Sequence, residues 1–307
     1  MSKIINEKDY SLYKVLTTFQ ICIPIIQRDY IQGLNDESRG IKDKRERLIN
    51  DIFENLRSHR RLNLNIVYGI HEKEIFYPLD GQQRLTMIYL LHWFLAINSN
   101  KFEEFYKLKP FYYETRTSSN EFFAFLRAAE NKNKWNKIFN EVGKSKLTFL
   151  KQIKNQTWFK IQWFTDTTVF SAINVIGDFI EKIQESDFSE YYDQLTENKS
   201  KLCFDFLSEN IEDAESVAST NYIRLNSRGK QLEEFENVKA VLAIIEHNLN
   251  RENDKKFAHQ YDQKYINIFY NECLEELELD AKTKEINKKS ITLLINTYNL
   301  LNYIKFK

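Results

Sequence analysis

The chain has 307 residues, enough for one large or two ordinary domains, and its 44 acidic and 44 basic side chains cancel, which excludes a global positive field drawing it to nucleic acid. Seven glycines and three prolines leave few tight turns, so helices should dominate. Cys22, Cys203 and Cys273 are far apart and the five histidines never fall at ligand spacing, which reads as reduced thiols, no structural zinc and a cytoplasmic protein.

The charged N-terminus lacks a signal-peptide core. Ile21 to Ile25, "ICIPI", is expected to be extended, with Pro24 marking a sheet edge or a strand end. Arg45 to Ser58 reads as a helix whose Leu48, Ile49, Ile52, Phe53 and Leu56 share one face. Leu64 to Ile70 and Ile75 to Leu79 read as strands around the polar turn 71–74. The run from Leu85 to Ile97 is apolar nearly all round, which places a helix in the core. It is too short to span a bilayer and contains His92.

From about Thr115 the pattern turns helical. Ser118 with Glu121 fits a capping box ahead of "FFAFL". Asp166 can cap a helix that aligns Val169, Ile173, Ile176 and Ile180. "KLCFDFL", Lys201 to Leu207, alternates like a further strand. Glu212 to Leu225 is expected to be helical, Asn226-Ser227-Arg228-Gly229 to turn, and the next helix to carry Phe235, Val238, Leu242 and Ile245. Two more amphipathic helices follow, through Phe257, Tyr261 and Ile268 and through Ile291, Leu294, Ile295 and Tyr298. The lysine- and asparagine-rich stretches 131–137 and 282–289 read as solvated loops or helix ends. The last helix stops without a cap signal, as expected of a piece of a longer protein.

The most informative stretch is "FYPLDGQQRLTMIYLL". A strand that enters a helix through Gly81 leaves the first N–H groups of that helix unpaired, and these donors with the helix dipole favour an anion. Gly81 has no Cβ, so a phosphate can approach the backbone. Arg84, one turn in, can add a bidentate clamp. Gln82 and Gln83 supply neutral donors and acceptors. Asp80 can accept a backbone N–H, hold a magnesium–water shell or orient a water. An ordinary N-cap at Asp80 with a solvated first turn explains the same residues. Against it, so apolar a helix should be wrapped by protein.

Three further clusters carry polar groups. In "IPIIQRDYIQG", Gln27 and Arg28 can reach a phosphate and Tyr30 can stack on a base, although ordinary surface ion pairs explain Arg28 and Asp29 as well. In "NYIRLNSRGKQLEEFENVKA", Asn226 and Gly229 suit a turn with positive φ, and Arg224, Arg228 and Lys230 add charge; a corner between helices explains them equally. Arg116 precedes a helix and can face the same cavity. The basic run Arg57 to Asn63 can touch a nucleic-acid backbone or be a solvated helix end.

These pieces occur together and in order in one family. The chain resembles the N-terminal domain of GmrSD-type restriction proteins, which is related to the ParB/sulfiredoxin fold, through P-x-x-Q-R-x-Y at 24–30, D-G-Q-Q-R-L-T at 80–86 and N-x-x-G-x-x-L at 226–232. The D-G-Q-Q-R-L-T match is highly specific, and the resemblance covers most of residues 10–245. It implies an α+β protein: a ParB/sulfiredoxin-like nucleotide-binding core over 1–114, and a mainly helical region over 115–307 that packs on the core and contributes the N-x-x-G motif. It implies binding and hydrolysis of a nucleoside triphosphate (GTP, ATP or another) with Mg²⁺, in defence against phage carrying foreign or modified DNA. Asp80, Gln82, Gln83 and Arg84 would be the catalytic set, Gln27, Arg28, Gly81 and Arg84 would hold the nucleotide, and Tyr30, Arg116, Asn226, Arg228 and Gly229 would support it. Asp80 would be the magnesium ligand. Many relatives carry an HNH-type nuclease. His247 and His259 lack that context here, so a nuclease segment or partner subunit is expected elsewhere. A non-catalytic nucleotide- or DNA-binding module is the competing expectation.

Overall fold

The computed structural model describes residues 4–24, 41–114, 117–183, 187–197, 200–212 and 214. Six strands, β1 (Ile4–Tyr10), β2 (Gln20–Ile23), β3 (Leu62–Glu72), β4 (Ile75–Pro78), β5 (Phe111–Tyr113) and β6 (Leu202–Asn210), make one mixed sheet in the order β1-β6-β3-β4-β2-β5. The expected hairpin is β3 with β4, paired antiparallel from Gly69↔Pro78 to Glu72↔Ile75. Residues 201–207 do form a strand, and β6 lies between β1 and β3, so the sheet draws on chain far beyond residue 114. Pro24 follows the end of β2 and marks no edge, because Ile21 pairs with Phe76 on one side and Phe111 on the other.

Three strands, β4, β2 and β5, run parallel, with Ile21 level with Phe76 and Phe111 and Ile23 level with Tyr113. Two residues on from Phe76, Pro78 reaches the level of Ile23. Pro78, Ile23 and Tyr113 therefore end on one edge of the sheet. At that edge β4 hands over to the helix with the D-G-Q-Q-R start, and Glu114 donates its N–H to the Ile23 carbonyl at 2.9 Å.

In the first half of β3, beyond its pairing with β4 and on the side of the β4–α3 junction, the register slips. Asn63 pairs with Cys203 and Ile66 with Asp205, three steps along β3 against two along β6. That is a β-bulge, rare between parallel strands, and Asn65 in it has φ 64°. The antiparallel pair β1/β6 slips likewise between Glu7 and Tyr10, with Asp9 at φ 56°. Side chains close both irregularities: Cys203 Sγ donates to Asp9 at 3.3 Å, Arg61 to Asp9 at 2.8 Å, and Asn63 to Asp205 at 3.0 Å.

The helices are α1 (Leu12–Thr18), α2 (Ile41–Arg57), α3 (Gln82–Asn98), α4 (Phe102–Lys107), α5 (Thr117–Arg127), α6 (Lys132–Val142), α7 (Lys146–Lys154), α8 (Ile161–Thr165), α9 (Thr167–Lys182) and α10 (Phe188–Thr196). As expected, α2 buries Ile49, Ile52, Phe53 and Leu56. All of α3 is buried except Gln83, Arg84 and Asn98. Its rings pack in every direction: Tyr89 stacks on Phe111 at 4.9 Å, Trp93 meets Trp135 edge-on at 4.9 Å, and Phe94 meets Phe179 at 5.9 Å. Each fully buried leucine of this helix contributes about 2 kcal/mol of transfer free energy. Among the described residues no helix is long and apolar enough to cross a membrane.

Asp166 caps α9 as expected, accepting from the amides of Thr168 at 2.8 Å and Val169 at 3.1 Å. The capping box at Ser118 and Glu121 does not form. Ser118 lies inside α5 and donates to Asp166, while Glu121 accepts from Lys160 at 2.7 Å and Gln162 at 2.6 Å. The tertiary partner outbids the local one. Residues 132–137 are not a loop but the first half of α6, with Trp135 fully buried. Behind α3, Arg45 of α2 is buried and pairs with Asp178 of α9 at 2.8 Å, and Lys146 of α7 pairs with the same carboxylate. The elements expected beyond residue 214 lie outside the described residues.

His92 sits inside α3, fully buried, its Nδ1 without a hydrogen-bond partner among the described residues and its ring edge-on to Tyr192. Burial pushes its pKa from 6.5 down to about 3. Between those values the unfolded chain binds a proton that the folded chain does not. The stability supplied by neutral His92 is therefore full above pH 6.5 and is lost as pH falls toward 3. The expected result is a His92→Leu variant whose stability falls less steeply with acid, by on the order of 4 kcal/mol over the whole window, measured by urea unfolding at a series of pH values.

Candidate functional site

The β4–α3 junction is built by backbone first. The N–H groups of Leu79 and Asp80 both donate to the Tyr68 carbonyl, at 2.8 and 2.9 Å. This fastens the turn to β3. Gly81 is the N-cap of α3, with φ 86° and ψ 5°, a left-handed conformation natural to glycine. A Cβ here would lie 2.9 Å from Val67 Cγ2 and 3.4 Å from an Arg84 guanidinium nitrogen. So β3 passes directly against the junction, and the absent side chain is a packing requirement as well as a conformational one.

Asp80 is not the helix cap. Its carboxylate accepts from the Gly81 N–H at 2.7 Å, one residue too early to serve the first turn of α3. Gly81 offers no side-chain acceptor. The N-cap residue of this buried 17-residue helix thus supplies no side-chain cap to its first turn. The Asp80 side chain is 63% exposed, with its second oxygen 3.5 Å from Arg84 Nη2.

Gln82 is buried and donates its amide to the Pro78 carbonyl at 2.8 Å. Gln83, the next residue of the first turn, is half-buried. Arg84 turns toward β3: Nη1 donates to the Leu64 carbonyl and Nη2 to the Ile66 carbonyl at 2.8 Å. Burial pulls the guanidinium below its ordinary pKa, and the Asp80 carboxylate pulls it back up. An arginine remains charged throughout.

Sequence reasoning missed the support behind the junction. Thr86 Oγ1 donates to the Gln82 carbonyl at 3.0 Å and lies 3.2 Å from the Tyr113 hydroxyl. Asn120 of α5 accepts from the Tyr113 N–H at 2.5 Å and donates back to its carbonyl. These bonds hold α3, β5 and α5 together one turn below the junction. Thr86 is the last residue of the D-G-Q-Q-R-L-T string, so its identity was visible and only its partner was not.

Gln27, Arg28, Tyr30, Arg116, Asn226, Arg228 and Gly229 lie outside the described residues. In sequence Gln27, Arg28 and Tyr30 follow the end of β2, and Arg116 follows the end of β5, on the edge where β4 meets α3. Within the basic run, Arg61 pairs with Asp9 at 2.8 Å and His59 meets Glu190 at 3.1 Å. Among the described residues no three His, Cys, Asp or Glu side chains converge as metal ligands.

With this geometry in hand, comparison with known families gives a clear result. Residues 2–243 match the sequence model of the GmrSD restriction endonuclease N-terminal domain. The chain belongs to that family, which implies a restriction-type defence protein. No curated protein matches the chain.

The junction makes a direct prediction. Gly81→Ala forces a side chain into the left-handed region and against Val67, and should cost about 1–2 kcal/mol, with Gly81→Val costing more. Urea unfolding of the two variants beside wild type measures both.

Proposed function

We propose that this member of the GmrSD restriction endonuclease N-terminal family binds the phosphates of a nucleoside triphosphate at the start of α3 and hydrolyses it, and that turnover governs the attack of a nuclease part on foreign or modified DNA. The observation that supports this most is a buried helix whose N-cap is a left-handed glycine with no capping side chain, at the edge where β4, β2 and β5 end. Ligands of open α/β sheets gather outside the carboxyl ends of strands, and helix N-termini favour anions. The ParB/sulfiredoxin relationship belongs to the same reading, since positions 81–84 carry its G-x-x-R helix start.

Asp80 fits a magnesium ion brought by the nucleotide. A lone exposed carboxylate cannot make an all-protein cage, but Mg²⁺ commonly uses one or two carboxylates together with waters and substrate phosphates. When bound, the ion would offset the repulsion between Asp80 and phosphate and supply Lewis acidity. Asp80 itself holds Gly81 in place through its N–H and can orient a water. Gln27, Arg28 and Tyr30 are assigned to the nucleotide, with Arg116, Asn226, Arg228 and Gly229 in support. DNA is assigned to the nuclease part, in keeping with the chain's balance of 44 acidic and 44 basic side chains.

One observation favours a second reading, a nucleotide-binding module without turnover. Both oxygens of Asp80 face partners already, the Gly81 N–H and Arg84. The two readings separate in one assay of purified protein with each common triphosphate and Mg²⁺. The hydrolytic reading predicts phosphate release by wild type, with Asp80→Ala reduced about 10²-fold and triphosphate affinity changed much less. Binding without release selects the second reading, and absence of binding removes both.

A further inference from the structure

Arg84 was expected to clamp phosphate, yet its guanidinium faces the other way. Two of its nitrogens donate to the carbonyls of Leu64 and Ile66. Those two residues flank Asn65, the left-handed residue at the slip of β3 against β6. Within the bulge the Asn65 N–H bonds back to the Asn63 side chain at 2.8 Å, which leaves the carbonyls on either side turned outward. An arginine fork is suited to collect two such carbonyls at once, and a lysine is not. The same nitrogen that binds Ile66 lies 3.5 Å from Asp80. The arginine side chain is only 21% exposed, and a Cβ at Gly81 would lie 3.4 Å from it.

We propose that Arg84 is a positioning residue: seated on the Leu64 and Ile66 carbonyls, it locks the bulge of β3 against Gly81 and aims Asp80, and so shapes the phosphate site without touching the phosphate. This rests on the nucleotide reading above. The chain of action runs from the fork to the bulge, from the bulge to Val67, and from Val67 to Gly81, whose backbone must stay left-handed for the first turn of α3 to face outward. Asn65 is the other end of the same device. It is exposed and makes no bond to Arg84, but its φ of 64° is what presents the two carbonyls. A β-branched residue there would be a severe outlier.

The test uses the full chain as wild type, Arg84→Lys and Asn65→Val. Each is titrated by calorimetry with the four common nucleoside triphosphates and their diphosphates in Mg²⁺, and each is followed by hydrogen exchange without nucleotide. The expected result is a loss of about tenfold in both variants, equal for triphosphate and diphosphate, with faster exchange in residues 62–68 and unchanged exchange in α9. A direct phosphate contact gives a different pattern: Arg84→Lys loses triphosphate selectively, and Asn65→Val binds normally. Selective loss in Arg84→Lys, or unchanged exchange in 62–68, overturns the proposal. If Arg84→Lys loses protection in α9 as well, Asn65→Val decides alone by the same criteria. If wild type binds no nucleotide, the functional reading fails. The exchange of 62–68 in both variants then decides whether the fork locks the bulge.

Discussion

A helix buried on every side cannot rely on water at its first turn, and the rest of this structure is arranged around that constraint on α3. The strand before it must turn into the core within three residues, Leu79 to Gly81. Glycine at position 81 permits the turn, and β3 passes so close that an added Cβ would press on Val67. The polar residues crowded at this point are then largely accounted for by backbone groups that need partners. Gln82 serves the Pro78 carbonyl, Arg84 serves Leu64 and Ile66, and Thr86 serves Gln82. Beside these bonds stand a helix start whose N-cap glycine has no capping side chain and an exposed aspartate. Structure and candidate chemistry are therefore two faces of one junction.

Elements whose signals are local were legible from the residues. The hairpin β3–β4 has its polar turn, α2 its apolar face, α9 its aspartate cap and α3 its unbroken apolar run. Elements defined by distant partners were not. Among the described strands β1 lies at the edge, mostly exposed and with charged Glu7, Lys8 and Asp9, and its partner there is β6, nearly two hundred residues later; charge on an edge strand guards against aggregation but hides the strand from any pattern. Ser118 and Glu121 match a capping box residue for residue, yet each found a better partner across the fold. The lysines and asparagines around Trp135 masked a helix whose one buried face carries little of its composition.

The candidate site divides along the same line. Its place in the chain was readable, because D-G-Q-Q-R-L-T between a strand and an apolar helix admits few geometries. The direction of Arg84 was not, because it follows from a bulge that exists only when β3 pairs with β6. The family assignment over residues 2–243 explains why the three motifs share one chain. Within the described residues, the ends of β2, β4 and β5 lie on one edge of the sheet, the edge at which α3 starts.

The measurement that bears most directly on this account is the backbone amide spectrum of protein labelled with ¹⁵N-glutamine, recorded while nucleoside triphosphate and Mg²⁺ are added. The amides of Gln82 and Gln83 lie in the first turn of α3, and phosphate accepting hydrogen bonds there should move both downfield in a saturable titration, with Gln194 of α10 unmoved. Amides at 82 and 83 that stay in place at nucleotide concentrations sufficient for binding or turnover would contradict the claim that the start of α3 is where the anion sits.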